Sequence, residues 1–202
     1  TPFTANWRVR PPSDLFADQT ALLQTDMFAA STNAETYQAE TYVPVPTVND
    51  LRSAGADYPE EIRERYLPLP RTVPERVHDL ARQITDGFVN PYERAKAIET
   101  YLRAHYPYDL EVPAPPEGRD VADYFLFDLQ KGYCDYYATA MVVLARSSGL
   151  PARFVSGYSP GAYDAPNAQY IVRELNAHSW AEVYFPDIGW VEFEPTASLP
   201  EI

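Results

Sequence analysis

Gly132-Tyr133-Cys134-Asp135-Tyr136-Tyr137-Ala138-Thr139-Ala140 reads as a loop turning into a helix, and it holds the only cysteine of the chain. A lone thiol excludes an internal disulfide and a cysteine metal cluster. At a helix start, where backbone N–H dipoles favour an anion, it reads instead as a thiolate nucleophile. The helix predicted from Cys134 turns Tyr137, Met141, Val142, Leu144 and Ala145 inward, and Gly149 followed by Pro151 closes it. Ala138, Thr139 and Ala140 are small enough for that helix to lie close against a sheet. Taken alone, a cysteine in such a place is more often a small core residue, so the chemistry needs further residues.

Beyond Pro151 the hydrophobic period changes from helical to two. Strands are predicted over about 152–158, 169–175, 178–185 and 190–196, with a loop containing proline and glycine from Ser159 to Asn167. Strands so close in sequence are expected to pair antiparallel. Upstream, Thr72 and Glu75 have the spacing of a capping box, and Val77, Leu80, Ala81 and Ile84 share one face before Gly87. Asn90, Pro91 and Glu93 start a second helix with Ala95, Ile98, Tyr101 and Leu102 as its inner stripe up to Pro107. Asp109 to Asp120, rich in proline, is a loop, and Asp120 caps a short helix through Phe127. The fold class is α+β, with helices backing an antiparallel sheet. We divide the chain into residues 1–70, an N-terminal arm or flanking subdomain, and 71–202, the core. The former is read with a strand over 37–43 and a short helix over 59–66 that Pro68 and Pro70 stop.

Composition removes several function classes. A net charge of −13, from 29 acidic against 16 basic residues, repels phosphate backbones and anionic lipid surfaces, so no nucleic-acid partner is expected. The hydrophobic residues lie in short runs, none approaching the roughly 18 apolar residues of a membrane helix. Thr1-Pro2-Phe3-Thr4 does not read as a secretion signal, from which we expect a piece of a longer chain. With 14 arginines to two lysines and 20 prolines to eight glycines, the loops lean towards stiffness. No internal repeat, metal-type Cys/His cluster or glycine-rich phosphate loop is found, so neither metal nor cofactor is expected.

Acyl transfer from an amide needs a nucleophile, a base that later protonates the leaving amine, a group that orients the base, and donors for the oxyanion. Two segments, Asn176-Ala177-His178-Ser179-Trp180 and Trp190-Val191-Glu192-Phe193-Glu194-Pro195-Thr196, add a histidine and a carboxylate in chain order. Cys134, His178 and Glu194 fit the first three roles. The backbone N–H of Cys134 and a neighbour, with the side chain of Gln130, are the candidate donors. Tyr133, Asp135 and Trp180 are candidates for the cleft, beside the plainer readings of aromatic packing and helix capping. Glu192 shares the face of Glu194 and is its rival. Asp135 and Asp187 read more simply as helix and turn residues, and His78 and His105 as surface histidines.

Pleating constrains the pairing of His178 with Glu194, 16 residues apart. With Phe185 opposite Trp190 across a four-residue turn, Glu194 would sit opposite Ala181, on the face away from His178. An odd-numbered connection or a bulge brings Glu194 opposite Trp180 or Glu182, onto the histidine's face, and that feature is predicted.

The Gly-Tyr-Cys-Asp-Tyr-Tyr-Ala-Thr-Ala run, Arg-Ser-Ser-Gly-Leu-Pro-Ala-Arg-Phe-Val-Ser-Gly over 146–157, Ala-His-Ser-Trp-Ala-Glu-Val over 177–183 and Gly-Trp-Val-Glu-Phe-Glu-Pro-Thr over 189–196 together resemble the core of the transglutaminase-like superfamily. The resemblance covers about residues 75–198. It implies a papain-like or transglutaminase-like core, with Cys134 as nucleophile, His178 as base and Glu194 as orienting carboxylate. One position departs, since the third residue is commonly Asp. The implied reaction is thiol-dependent acyl transfer on protein amides, from a glutamine side chain to an amine through a cysteine thioester, with a protein or peptide substrate that includes cell-envelope material. A cysteine peptidase or amidase using the same triad is the alternative, and a non-catalytic peptide or cell-wall binding domain is a third. The chain most resembles bacterial members whose catalytic domain is anchored by flanking membrane helices and faces the outside of the cytoplasmic membrane, so membrane contact is expected only through segments absent from this chain.

Overall fold

In the computed structural model, residues 44–197 are described, and the strand expected over 37–43 lies outside them. From Pro46 to Ala197 the described residues belong to one compact unit. Its first helix, α1 (Val48–Ser53), starts where Thr47 and Asp50 cap each other's backbone N–H groups, at 3.2 and 2.8 Å, and it sends Leu51 into the core. The short helix expected over 59–66 is α2 (Glu60–Tyr66). It buries Ile62 and Tyr66, the latter edge-on to Trp190 at 4.6 Å.

The helix α3 (Glu75–Thr85) buries Val77 and Ala81, with Leu80 and Ile84 partly buried on the same core. Its expected capping box at Thr72 and Glu75 is not formed: the residue before the helix is Pro74, and no side chain caps it. Proline disfavours helical backbone at the residue before it, so Val73 cannot serve as the first helical residue that a cap at Thr72 requires, and the helix starts no earlier than Pro74. The next helix, α4 (Pro91–His105), starts as expected, with Asn90 accepting the Glu93 N–H at 2.9 Å and Pro91 in its first turn. Ala95, Ile98 and Leu102 are fully buried along it, and Tyr101 is partly buried.

Asp109 to Asp120 carries no helix or strand. Asp120 then caps α5 (Val121–Asp123), which continues directly as a π-helical turn over Tyr124–Leu129. Asp123 is buried at this junction and takes Arg76 from α3 at 2.5 Å and Arg119 at 2.8 Å. The Arg76 guanidinium first, and Arg119 after it, hold its carboxyl below the usual carboxylate range against the opposing effect of burial. This ties the turn that precedes the cysteine to a separate helix.

The most extensively buried helix is α6 (Cys134–Ser147), which touches α3, α4 and α5 as well as two strands. That explains why its buried residues go all the way round instead of forming one stripe. Tyr137 donates its hydroxyl to the Tyr106 carbonyl, and Arg146 donates to the carbonyls of Ala152 and Pro68, both at 2.9 Å. Gly149 takes the left-handed conformation (φ 78°) that ends the helix.

The strands depart from expectation in their pairing. The main sheet has three antiparallel members in the order β1 (Ala152–Tyr158), β4 (Ala177–Phe185), β5 (Gly189–Phe193). Between β1 and β4 lies a separate hairpin of β2 (Ala162–Asp164) and β3 (Gln169–Ile171). The loop expected over 159–167 thus contains β2, and the strand expected over 169–175 shortens to three residues followed by a 3-10 turn, Glu174–Asn176. Alternation located β1 and β4, overran the end of β5 at Phe193 and missed β2, and it does not say which strand is the partner. On β4, Ser179, Ala181, Val183 and Phe185 are buried, and His178, Trp180, Glu182 and Tyr184 take the other face.

Because Ala181 is fully buried on a sheet that α6 packs against, its small size sets their separation. Ala181→Leu is expected to lower the urea-unfolding free energy by about 1–3 kcal/mol through overpacking. An unchanged midpoint would show that the interface is not close-packed there.

Candidate active site

Cys134 is the first residue of α6, so its N–H belongs to the first turn, whose donors have no intrahelical partner. The chain enters the helix through Tyr133 in extended backbone (φ −114°, ψ −179°). The approach is held by Gly132, whose carbonyl accepts the Asp109 N–H at 2.8 Å and whose N–H donates to Pro107 at 3.3 Å. A side chain at 132 would crowd the Tyr136 ring, at 3.0 Å from a built Cβ.

His178 lies near the start of β4, opposite Gly157 of β1. Its Nε2 is 2.5 Å from Glu194 Oε2. Since a carboxylate accepts from a ring N–H, Nε2 is assigned the proton of this bond, and Nδ1 is the ring nitrogen not engaged by Glu194. The imidazole pKa is raised to about 9, first by its hydrogen-bonding interaction with Cys134 and then by Glu194, against the opposing effect of burial. Glu194 is 3% exposed, and its second oxygen accepts the Thr196 N–H at 2.9 Å. The Trp180 ring lies nearly parallel to His178, with centroids 6.0 Å apart. Gly157 makes room for it, because a Cβ there would be 3.0 Å from the indole.

The predicted odd connection is present. Phe185 pairs with Gly189 across the three residues Pro186–Ile188, and Glu182 pairs with Glu192, so the same register carries Glu194 to the level of Trp180. Pro186 and Asp187 (φ 62°) occupy the centre of a turn closed from the Ile188 N–H to the Phe185 carbonyl at 3.2 Å. Asp187 is therefore a turn residue. The rival Glu192 stands across from Glu182 instead of meeting His178. Burial first, then Glu182 and Glu194, push its carboxyl above the usual range.

Of the remaining candidates, Asp135 does more than follow the cysteine. Its Oδ1 accepts the Ser179 hydroxyl at 2.6 Å and lies 3.8 Å from Cys134 Sγ, so the residues next to Cys134 and His178 are bonded to each other. Tyr133 packs edge-on to Tyr136 at 5.1 Å. Gln130 ends the π-helical turn in the left-handed region (φ 55°), uncommon for a residue with a Cβ, with its side chain exposed. His105 is exposed and stacks on Tyr101, and His78 is half-buried.

Sequence reasoning missed Tyr108, whose backbone bridges Gly132 and whose hydroxyl pKa is raised by burial first, then by Cys134 and Asp135. Its signal was its place directly before the loop leading to the cysteine. Sequence reasoning also missed Glu99 and Arg103, which meet the backbone around Glu194 from α4. Among the described residues, no group of three or more His, Cys, Asp or Glu side chains could hold a metal ion, and no helix is long and apolar enough to cross a membrane.

The chain is similar to three proteins in particular. Bacillus subtilis YebA, an uncharacterized protein, is 43% identical over 173 residues, covering 81% of this chain and 24% of that protein. A Pseudomonas aeruginosa protein-glutamine gamma-glutamyltransferase is 33% identical over 146 residues, covering 72% of this chain and 21% of the relative. This chain thus spans about a quarter or less of the length of these curated relatives. The solved periplasmic domain of TgpA from Pseudomonas aeruginosa superposes with a TM-score of 0.62 at 32% identity, over 72% of this chain and 49% of that one. The model of the transglutaminase-like superfamily matches residues 78–195, from inside α3 to the residue after Glu194, and with this α+β core the chain belongs to that superfamily.

Proposed function

We propose that this protein is a thiol-dependent acyltransferase acting on protein amides, with Cys134 as nucleophile, His178 as its proton partner and Glu194 as the group that orients the imidazole. The observation that carries the proposal is the buried Glu194 carboxylate on His178 Nε2, with Cys134 as the leading cause of the raised imidazole pKa. A histidine so placed stays cationic at neutral pH and can stand beside a thiolate.

In the proposed reaction the Cys134 sulfur attacks the carbonyl carbon of a glutamine side-chain amide. The C=O π pair moves onto oxygen, which in this reading accepts from the N–H of Cys134, with Gln130 as a second donor and Tyr133, Asp135 and Trp180 lining the approach. Collapse breaks the C–N bond as the imidazolium gives its proton to the departing nitrogen, releasing ammonia and leaving a thioester. An amine then attacks the thioester, His178 takes its proton, and the thiolate leaves an isopeptide behind. Water in place of the amine gives the carboxylic acid. The similarity to a periplasmic domain supports a site on the outer side of a bacterial cytoplasmic membrane, and the similarity to a protein-glutamine gamma-glutamyltransferase supports protein substrates, for which the cell envelope is our own extension.

Incubation with a glutamine peptide and a labelled primary amine is expected to incorporate label, and Cys134→Ser to abolish it. Acid or cleaved peptide as the sole product would replace transfer by hydrolysis.

The alkaline limb of kcat/KM is expected near pH 9, because a raised imidazole pKa keeps His178 protonated up to about 9 and its acid function is lost as pH rises through that value. Glu194→Gln removes one cause of the raise, so the limb should move to lower pH while kcat falls by at least about a hundredfold. Overlapping profiles for the two proteins would remove Glu194 from the mechanism.

A further inference from the structure

Glu194 lies just beyond the last pair of the β4–β5 ladder, Ala181 with Phe193, so the sheet does not supply partners for its backbone. Yet Glu194 and Thr196 are both buried, and buried backbone groups need partners. The partners come from α4. Glu99, 1% exposed, accepts the Glu194 N–H on its Oε1 at 2.9 Å. One turn later Arg103 donates through Nη1 to the Glu194 carbonyl at 2.9 Å and to the Thr196 carbonyl at 2.8 Å. Lys96, one turn earlier on the same face, reaches the other Glu99 oxygen at 2.5 Å and balances its charge.

From this geometry we infer that Glu99 and Arg103 are positioning residues for the proposed triad, fixing the Glu194 main chain from its two sides so that the carboxylate meets His178. The inference rests on the functional reading above. A glutamate carries one more rotatable bond than the aspartate common at this position, so a stray of its backbone is passed on to the carboxylate with little to correct it. Thr196 is bound into the same device, because its N–H goes to Glu194 Oε1 while its carbonyl goes to Arg103. The backbone that α4 holds therefore also occupies the Glu194 oxygen that faces away from His178. A purely structural role for α4 would satisfy the same backbone groups without changing the histidine.

The test follows His178 directly, since only three histidines, His78, His105 and His178, contribute imidazole resonances in NMR titrations. In Glu99→Ala, compared at equal far-UV circular dichroism, the His178 midpoint should fall from about 9 towards that of Glu194→Gln. kcat/KM should drop by about tenfold to a hundredfold, as expected for a misplaced group. Glu99→Gln retains an oxygen acceptor and should restore most of both. In a Glu194→Gln background, Glu99→Ala should cause no further loss, because its effect runs through that carboxylate. A folded Glu99→Ala protein with an unmoved His178 midpoint, or losses that multiply in the double variant, overturns the inference. If Glu99→Ala does not fold, Arg103→Lys carries the same comparison, because its ammonium cannot reproduce the guanidinium's fixed donor geometry. Because the midpoint is read without substrate, an inactive parent whose midpoint still responds to Glu99→Ala would overturn the functional reading and leave the positioning intact.

Discussion

A buried carboxylate can stay ionised only when its oxygens are answered by donors, and the site of this protein is organised around one that is. Glu194 divides its two oxygens between the Thr196 N–H and His178 Nε2. Removing a single partner from such a group leaves a charge in low dielectric, which costs far more than an ordinary hydrogen bond contributes. This asymmetry explains why so much of the surrounding backbone is pinned. The interaction is local, but α4, the end of β5 and the start of β4 must all be in place before it can form.

The second requirement is that α6 should deliver Cys134 to the same end of the sheet. Small residues at 138, 140 and 181 are fully buried and allow helix and sheet to approach, while the hydroxyl of Ser179 holds Asp135 beside the cysteine. Gly132 and Gly157 each clear space for an aromatic ring next to the site, Tyr136 and Trp180 respectively. None of these four devices involves an atom of the proposed reaction. Each limits how far the cysteine and the histidine can move relative to one another, and proximity of that kind is worth large factors in rate.

The parts legible in the sequence were those with a local cause. The helix from Cys134 to Ser147 follows from its apolar residues and its closing glycine. The odd connection between β4 and β5 follows from pleat parity once His178 and Glu194 are taken as partners, with no knowledge of the turn. What escaped depends on contacts distant in sequence. The pairing of β1 with β4 passes over a hairpin, and alternation in β1 contains nothing that names its partner. The start of α3 was misplaced because Thr72 and Glu75 satisfy a spacing rule that Pro74 overrides. Glu99 reads as an ordinary helix glutamate, since its partner lies 95 residues away. A buried charge on a helix face becomes visible only when the opposing backbone is known.

The exchange of aspartate for glutamate has a geometric explanation in the fold. An aspartate holds its carboxylate on a shorter tether, with one rotatable bond fewer between it and the backbone. Glu194 has the longer reach and begins where the ladder has stopped, so neither the tether nor the sheet fixes its carboxylate. The compensation is a proline and two cross-linked carbonyls. Pro195 restricts the backbone directly after Glu194, and Arg103 fastens the carbonyls on either side of that proline. Length in the side chain is thus matched by rigidity in the main chain. A shorter acid placed on this same rigid backbone would stop short of Nε2, so the glutamate and its fastened segment have to be understood as one unit.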